Sequence, residues 1–406
     1  MIWDTVLSED ALAIKASEIR ELLKVLDDPE ILSFAGGIPD PALFPVDLIQ
    51  QIQDRQKRQD DLHRQSFQYS STEGYVPLRQ WIADRYTHPG ISLTADNILV
   101  TNGAQQSLTL LSAALLDTRS PVAVASPTYL GALQVFEARR PKFVAVKTDD
   151  DGLIMEDLEQ AFRQGVKFLY TIPDFQNPGG MTLPEERRCK MVELAHQYGV
   201  PILEDIAYRE LYYDNPPPPS LLEMEGRFLG EGCWSQEGLV IQIGTASKTM
   251  MPALRVGWTI APPGLMDKLT VLKQANDLCS SAANQMLAFE LASNYLPDHI
   301  AMLRDVYATR RDAMVQALRQ NLPNSVHFSP PAGGMFVWLT LPIGMDARKL
   351  LEKALEQEKL AFVPGAAFHA DDGGDNTLRL SFSTCPPDVI KEAMERLAQL
   401  IKREAP

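Results

Sequence analysis

Cysteine is scarce. Among 406 residues there are four, Cys189, Cys233, Cys279 and Cys385, and no two form a CxxC pair. They give no metal signature and suggest a reducing compartment. No apolar run approaches the roughly 20 residues of a membrane-spanning helix. The opening Met-Ile-Trp-Asp-Thr-Val lacks the basic start and apolar stretch of a secretory leader. Basic charge is also in deficit, since 38 Lys and Arg against 53 Asp and Glu leave a net charge of −15. That balance disfavours nucleic acid and anionic membrane surfaces as partners and favours solubility. These absences lead to the expectation of a soluble, cytoplasmic protein. Hydrophobic residues make up 45% of the chain, enough for a sizeable core, and the length suits two domains.

Short apolar runs alternate with helical patterns. Asn97 to Thr101, Val122 to Ala125, Phe143 to Val146, Phe168 to Thr171, Ile202 to Glu204 and Leu239 to Ile243 read as buried strands. Ala104 to Leu116 and Glu185 to Tyr198 repeat apolar residues at helical spacing. The alternation predicts an α/β fold with a mostly parallel sheet covered on both faces. After about Leu287 the pattern changes. A helix runs through Tyr295, Pro297 interrupts it, and helix resumes to Leu318. Strand candidates Met335 to Leu339 and Leu378 to Phe382 and a closing helix from Asp388 to Lys402 complete a smaller α+β domain. Residues 1–45 are expected to belong with that domain and the substrate entrance, 46–290 to form a large domain, and 291–406 the small one. The Asn215-Pro-Pro-Pro-Pro-Ser220 stretch reads as a rigid surface loop without assigned chemistry.

In such sheets ligands bind at the carboxyl ends of strands, and chemistry-bearing residues follow several of these strands. Lys248 comes after Leu239 to Ile243, in Gly244-Thr-Ala-Ser-Lys-Thr249, with Arg255 seven positions on. A lysine there can form a Schiff base with a carbonyl, and Thr245, Ser247 and Arg255 could hold a phosphate beside it. Taken alone, Lys248 could equally be a solvated loop lysine. Asp205 ends a buried strand, where it could pair with a protonated pyridine nitrogen or cap a helix starting at Ile206. Asn177-Pro178 is either a simple turn or a site amide, and Tyr208 offers a second donor. Gly103 precedes a helix start suited to a phosphate. Tyr129 could stack on a planar ring or sit in the core.

In this order and rough spacing the motifs resemble one family. They are Gly103-Ala-Gln105, Pro127-Thr-Tyr129, Asn177-Pro-Gly-Gly180, Asp205-Ile-Ala-Tyr208 and Ser247-Lys248 with Arg255-Val-Gly-Trp258. The chain resembles fold-type I, pyridoxal-phosphate-dependent aminotransferases of class I/II. Ser17-Glu-Ile-Arg-Glu-Leu-Leu23, Phe34-Ala-Gly-Gly37 and Tyr69-Ser-Ser-Thr-Glu-Gly-Tyr75 are similar to the 2-aminoadipate and kynurenine-type subgroup. The resemblance implies a seven-stranded, mostly parallel sheet plus a smaller α+β domain.

It also implies roles. Lys248 would bond the cofactor's aldehyde and shuttle a proton, and Asp205 would hold the pyridinium nitrogen. Asn177 and Tyr208 would donate to the phenolate oxygen, and Tyr129 would stack on the ring. Gly103, Ala104, Gln105, Thr245, Ser247 and Arg255 would surround the phosphate. Tyr69 would reach a phosphate in the partner subunit, which implies a homodimer. Arg379 would form a fork to the substrate α-carboxylate, near Gly37 and Asn177.

Ser17 and Arg20 would lie near the substrate side chain, on a helix from Ile14 to Leu26 that on composition alone has Arg20 on a solvated face. Substrates would be an α-amino acid (2-aminoadipate, aromatic or branched aliphatic) and a 2-oxo acid, with 2-oxoglutarate and glutamate expected, in a ping-pong scheme. A β-lyase, racemase or decarboxylase on the same scaffold, or a non-enzymatic sensor domain, stands as an alternative.

Overall fold

The computed structural model describes residues 3–13, 28 and 30–405. Fourteen strands occur among them. In chain order they are β1 (Leu32–Ser33), β2 (Ile98–Thr101), β3 (Pro121–Ser126), β4 (Lys142–Asp149), β5 (Gly152–Leu153), β6 (Leu169–Thr171) and β7 (Ile202–Asp205). There follow β8 (Val240–Thr245), β9 (Gly257–Ile260), β10 (His327–Phe328), β11 (Phe336–Thr340), β12 (Leu360–Ala361), β13 (Val363–Pro364) and β14 (Thr377–Ser381).

The large sheet has the order β2-β9-β8-β7-β6-β3-β4-β5. Its inner neighbours β4, β3, β6, β7 and β8 are parallel, whereas β9 runs antiparallel to both β2 and β8. The eighth strand is the two-residue β5, hairpinned onto the long edge strand β4. Strands β2, β7, β8 and β9 are buried along their whole length, as strands of a sheet covered on both faces must be.

Side chains alternate between two cores with the strand period of two. Leu99, Val122, Val124, Leu203, Ile241 and Ile243 pack on one face. Ile98, Val100, Ala123, Ala125, Ile202 and Val240 pack on the other. Helices Ala104–Leu115 and Glu185–Tyr198 lie close to the predicted spans, the second ending at Gly199 in the left-handed region, φ 64°.

A second sheet, β10-β11-β14-β13, is wholly antiparallel, and β1 pairs in parallel with β12. Pro297 sits in the first turn of the 26-residue helix Leu296–Asn321, so it starts that helix and parts it from Ala282–Asn294. That helix packs along the closing helix Pro387–Glu404.

The strand order also places the site. From β3 the chain moves outward to β4 and β5, then returns to β6 on the opposite side of β3. The carboxyl ends of β3 and β6 therefore flank the point where strand order reverses, the usual crevice of an open α/β sheet. Among the described residues, no helix is long and apolar enough to cross a membrane.

Candidate active site

A cleft of about 340 Å³ opens at those strand ends. It is lined from β3 by Tyr129, from β6 by Ile172 and Asn177, from β7 by Asp205, Ala207 and Tyr208, and from β8 by Thr245, Ser247 and Lys248. Ala104 and Gln105 enter from the helix start after β2, Gly36, Gly37 and Ile38 from the segment after β1, and Pro252, Arg255 and Arg379 complete the wall. Its charged lining is Asp205 against Lys248, Arg255 and Arg379. The cleft is thus cationic inside a chain of net charge −15, and suits a ligand carrying phosphate and carboxylate groups.

Asp205 is buried, and no helix starts at Ile206; residues 207–210 form a turn. Its Oδ1 accepts from Ala207 N at 3.1 Å and its Oδ2 from the Tyr170 hydroxyl at 3.0 Å. Burial pushes this carboxyl up to about 6, with the Tyr170 hydroxyl, the Ala207 amide and Lys248 pulling the other way. Lys248 Nζ donates to Gly37 O at 2.8 Å. Burial lowers its ammonium to about 8, aided by Arg379 and opposed by Asp205. A lysine so placed is partly neutral near neutral pH, as a nucleophile or base must be.

Asn177 and Tyr208 stand side by side, with Asn177 Nδ2 3.4 Å from the Tyr208 hydroxyl. Burial holds that phenol well above its ordinary value, so it remains a donor. Arg379, on β14, donates Nη1 to Asn177 Oδ1 at 2.7 Å and Nη2 to Ala35 O at 2.6 Å. Its buried Nε finds no partner among the described residues. A guanidinium has five N–H donors, so capacity remains for a carboxylate. Burial lowers Arg379 to about 10, opposed by Tyr208 and Tyr129, and it stays charged.

The other end of the cleft is built for an anion. No side chain caps the 12-residue helix Ala104–Leu115, whose first N–H groups are left for a ligand. Gly103 has φ 78°, and a Cβ there would lie 2.5 Å from Arg255 Nη2, so only glycine lets the guanidinium close on the helix start. Arg255 is held by Pro252 O and Asn102 O at 3.1 and 3.0 Å. Thr245 Oγ1 donates to Ser247 Oγ at 2.9 Å, which places both hydroxyls together on this side. Gln105 Nε2 donates to Gly131 O, and the Tyr129 hydroxyl lies 3.5 Å from Gln105 Oε1.

Of the residues singled out in the sequence, Tyr69 stands apart. It is 76% exposed and does not line this cleft. Ser17 and Arg20 lie outside the described residues.

Sequence reasoning missed Tyr170 and Phe336. Tyr170 reaches Asp205 because β6 and β7 are neighbours, a pairing that one sequence does not reveal. Phe336 carries Arg379 over its ring at 4.3 Å and crowds Gly37, where a Cβ would come within 2.6 Å of its Cζ. A glycine at 37 opposite an aromatic could be read only after the fold.

The family model for class I and II aminotransferases matches residues 41–397. The chain belongs to that family. The aminotransferase is 41% identical to aromatic-amino-acid aminotransferase 1 of Thermococcus litoralis, over 99% of its own length and 95% of the relative's. It superposes with a TM-score of 0.90 on LysN, the α-aminoadipate aminotransferase of Thermus thermophilus solved with N-(5'-phosphopyridoxyl)-L-leucine, at 39% identity and covering 99% and 98% of the two chains. It does the same on the kynurenine aminotransferase of Pyrococcus horikoshii, at 38% identity and covering 99% and 98%. Pyridoxal phosphate is the cofactor of this aminotransferase, and its substrates are amino acids and 2-oxo acids. The lyase, racemase, decarboxylase and sensor alternatives are not favoured.

A first expected outcome concerns Tyr170→Phe. It removes one hydroxyl and keeps the ring in the core. Losing a hydrogen bond to the ionised form raises the Asp205 pKa further, so the acid side of the pH profile of cofactor affinity should move up by roughly one unit. Spectroscopic titration of the apo-protein with pyridoxal phosphate measures this, and an unmoved profile would show that the hydroxyl does not hold Asp205.

Proposed function

We propose that the aminotransferase moves the amino group of an acidic, aromatic or branched aliphatic α-amino acid onto 2-oxoglutarate. The observation that carries this reading is the convergence of Lys248, Asp205 and Arg379 on one cleft. Bound pyridoxal phosphate supplies an aldehyde for the substrate amine and a ring that accepts electrons from Cα. Asp205, ionised against its burial, holds the ring nitrogen. Asn177 and Tyr208 donate to the phenolate oxygen, and Tyr129 covers a ring face. Gly103, Ala104, Gln105, Thr245, Ser247 and Arg255 hold the phosphate. Arg379 pairs with the substrate α-carboxylate beside Gly37. Lys248 Nζ takes the proton from Cα and returns it. With its ammonium near 8, roughly a tenth of Lys248 is neutral at pH 7.

The relatives' names support the breadth of the donor class: aromatic, α-aminoadipate and kynurenine enzymes, one with a leucine adduct. Two features support a homodimer with shared sites. Phe67 and Tyr69 are each 76% exposed, and Tyr69 does not line its own cleft, which leaves its hydroxyl available to a partner's phosphate. Four unpaired thiols support a cytoplasmic location. The pairing of β1 with β12 supports grouping residues 1–45 with the small domain 291–406, around a large domain 46–290.

The reading is tested with a panel of donors and 2-oxoglutarate, following glutamate and the oxo acid. Wild type should form both in equal amounts; ammonia or carbon dioxide instead would overturn it. In the same panel Arg20→Ala should lower kcat/KM roughly tenfold for 2-aminoadipate and little for leucine, because only the acidic side chain loses a charge-assisted bond. Equal losses would return Arg20 to a solvated helix face and remove Ser17 and Arg20 from the substrate site.

A further inference from the structure

Beneath the cleft, outside its lining, lies a buried ion cluster. Asp174 is fully buried and accepts from two guanidinium groups, Arg188 Nη2 on Oδ1 at 2.5 Å and Arg209 Nη1 on Oδ2 at 2.7 Å. Arg188 is itself fully buried and belongs to helix Glu185–Tyr198. Its remaining donors go to backbone carbonyls: Leu183 at 2.8 Å, Pro173 at 3.2 Å and Pro219 at 3.1 Å. The last contact gives the end of the proline-rich stretch a role, since its backbone carbonyl accepts from a buried cation. Buried Glu204 lies near enough to affect Arg209 and to be affected by Asp174, so two cations face two anions.

Removing two carboxylates and two guanidinium groups from water is weak evidence for stability, since apolar replacements often serve as well. Where the cluster is tied makes the difference. Asp174 stands three residues before Asn177, and Arg209 follows Tyr208 directly. The Asp174–Arg209 bond therefore joins the segment after β6 to the turn after β7, three residues from Asn177 and one from Tyr208. Arg188 fixes the same segment to the helix behind it through Pro173 and Asp174.

We propose that Asp174 is a positioning residue that, through Arg188 and Arg209, holds the Asn177 amide and the Tyr208 hydroxyl at the spacing needed to donate together to the cofactor's phenolate oxygen. This rests on the reading of those two residues as the donors. Two aligned donors stabilise the phenolate and weaken its hold on the neighbouring imine proton. Slackening them raises the pH at which the visible band of the bound cofactor changes.

The test is a pH titration of that band in holoenzyme, with kcat and KM measured alongside, for Asn177→Ala, Arg209→Ala and Asp174→Asn. Charge alone would move the last two in opposite directions, because one loses a cation and the other an anion. Lost positioning moves both upward, by roughly half a unit or more, and lowers kcat more than it raises KM. Upward shifts in both support the proposal. Opposite shifts, or none in either while Asn177→Ala shifts, overturn it and leave the cluster as packing. No shift in Asn177→Ala overturns the donor reading and the proposal with it. Should Asp174→Asn fail to fold, Arg85→Ala takes its place as the charge control. Arg85 pairs with Glu210 and does not touch Asp174. A shift in Arg209→Ala that exceeds that of Arg85→Ala supports the proposal, and equal shifts overturn it.

Discussion

Replacing Lys248 with methionine is expected to abolish turnover while making the cofactor-free protein more stable. The activity loss should reach at least about four orders of magnitude in kcat, because one side chain serves as both nucleophile and proton carrier. The stability gain follows from burial. Folding lowers the ammonium from 10.5 to about 8, so at pH 7 the protonated lysine is held in the fold against a penalty. The shift of over two units corresponds to something on the order of 3 kcal/mol. For a base depressed in the fold, the favourable balance is complete above the unfolded pKa and is lost as pH falls through the folded one. The wild-type deficit is therefore full below about pH 8 and gone by about 10.5. A methionine of similar length removes it at every pH. Thermal melts of the two apo-proteins should differ by a few degrees at pH 7 and converge near the upper limit. Activity retained in the variant would displace Lys248 from the chemistry, and equal melting points at pH 7 would mean the lysine is not strained. Borohydride reduction of wild-type holoenzyme supplies the complementary mark, an adduct on Lys248 and on no other lysine.

Much of this is readable from the chain because most site residues lie at or just after the end of a buried, largely apolar strand. Buried parallel strands leave a plain signal, and function collects at their ends, so β2, β3, β6, β7 and β8 were placed within a residue or two. Strand β9 was not. Its four residues, Gly257–Ile260, follow Arg255, whose left-handed backbone turns the chain back between β2 and β8. Nothing local announces an antiparallel strand inserted in a parallel sheet. The two-residue strands β1, β5, β10, β12 and β13 are too short to carry a period.

The site divides the same way. Lys248, Asp205, Asn177 and Arg379 carry groups whose chemistry suggests a role. Tyr170, Phe336, Asp174, Arg188 and Arg209 act only through residues brought near by strand order, and look like ordinary core or surface until that order is known.

Asp205→Asn should lower kcat by roughly a hundred- to a thousandfold, the usual effect of removing one preorganised charge from a reacting centre. Asparagine keeps the shape but offers a single acceptor to the Tyr170 hydroxyl and the Ala207 amide, and it cannot hold a ring nitrogen protonated. Like Lys248, the carboxylate is kept at some penalty, since burial raises it from 3.8 to about 6. For a group raised in the fold, the favourable contribution is complete below the unfolded value and lost as pH rises through the folded one. Apo wild type should therefore lose something on the order of 3 kcal/mol between pH 4 and 7 that the asparagine variant retains.

The ion that pairs with a cationic ring is thus one that the empty fold holds at a penalty, and binding of the cofactor relieves both groups at once. Saturating pyridoxal phosphate should accordingly raise the melting temperature of wild type more than that of Asp205→Asn. If the variant kept near-normal kcat, or gained as much from the cofactor as wild type, Asp205 would not be the partner of the ring nitrogen.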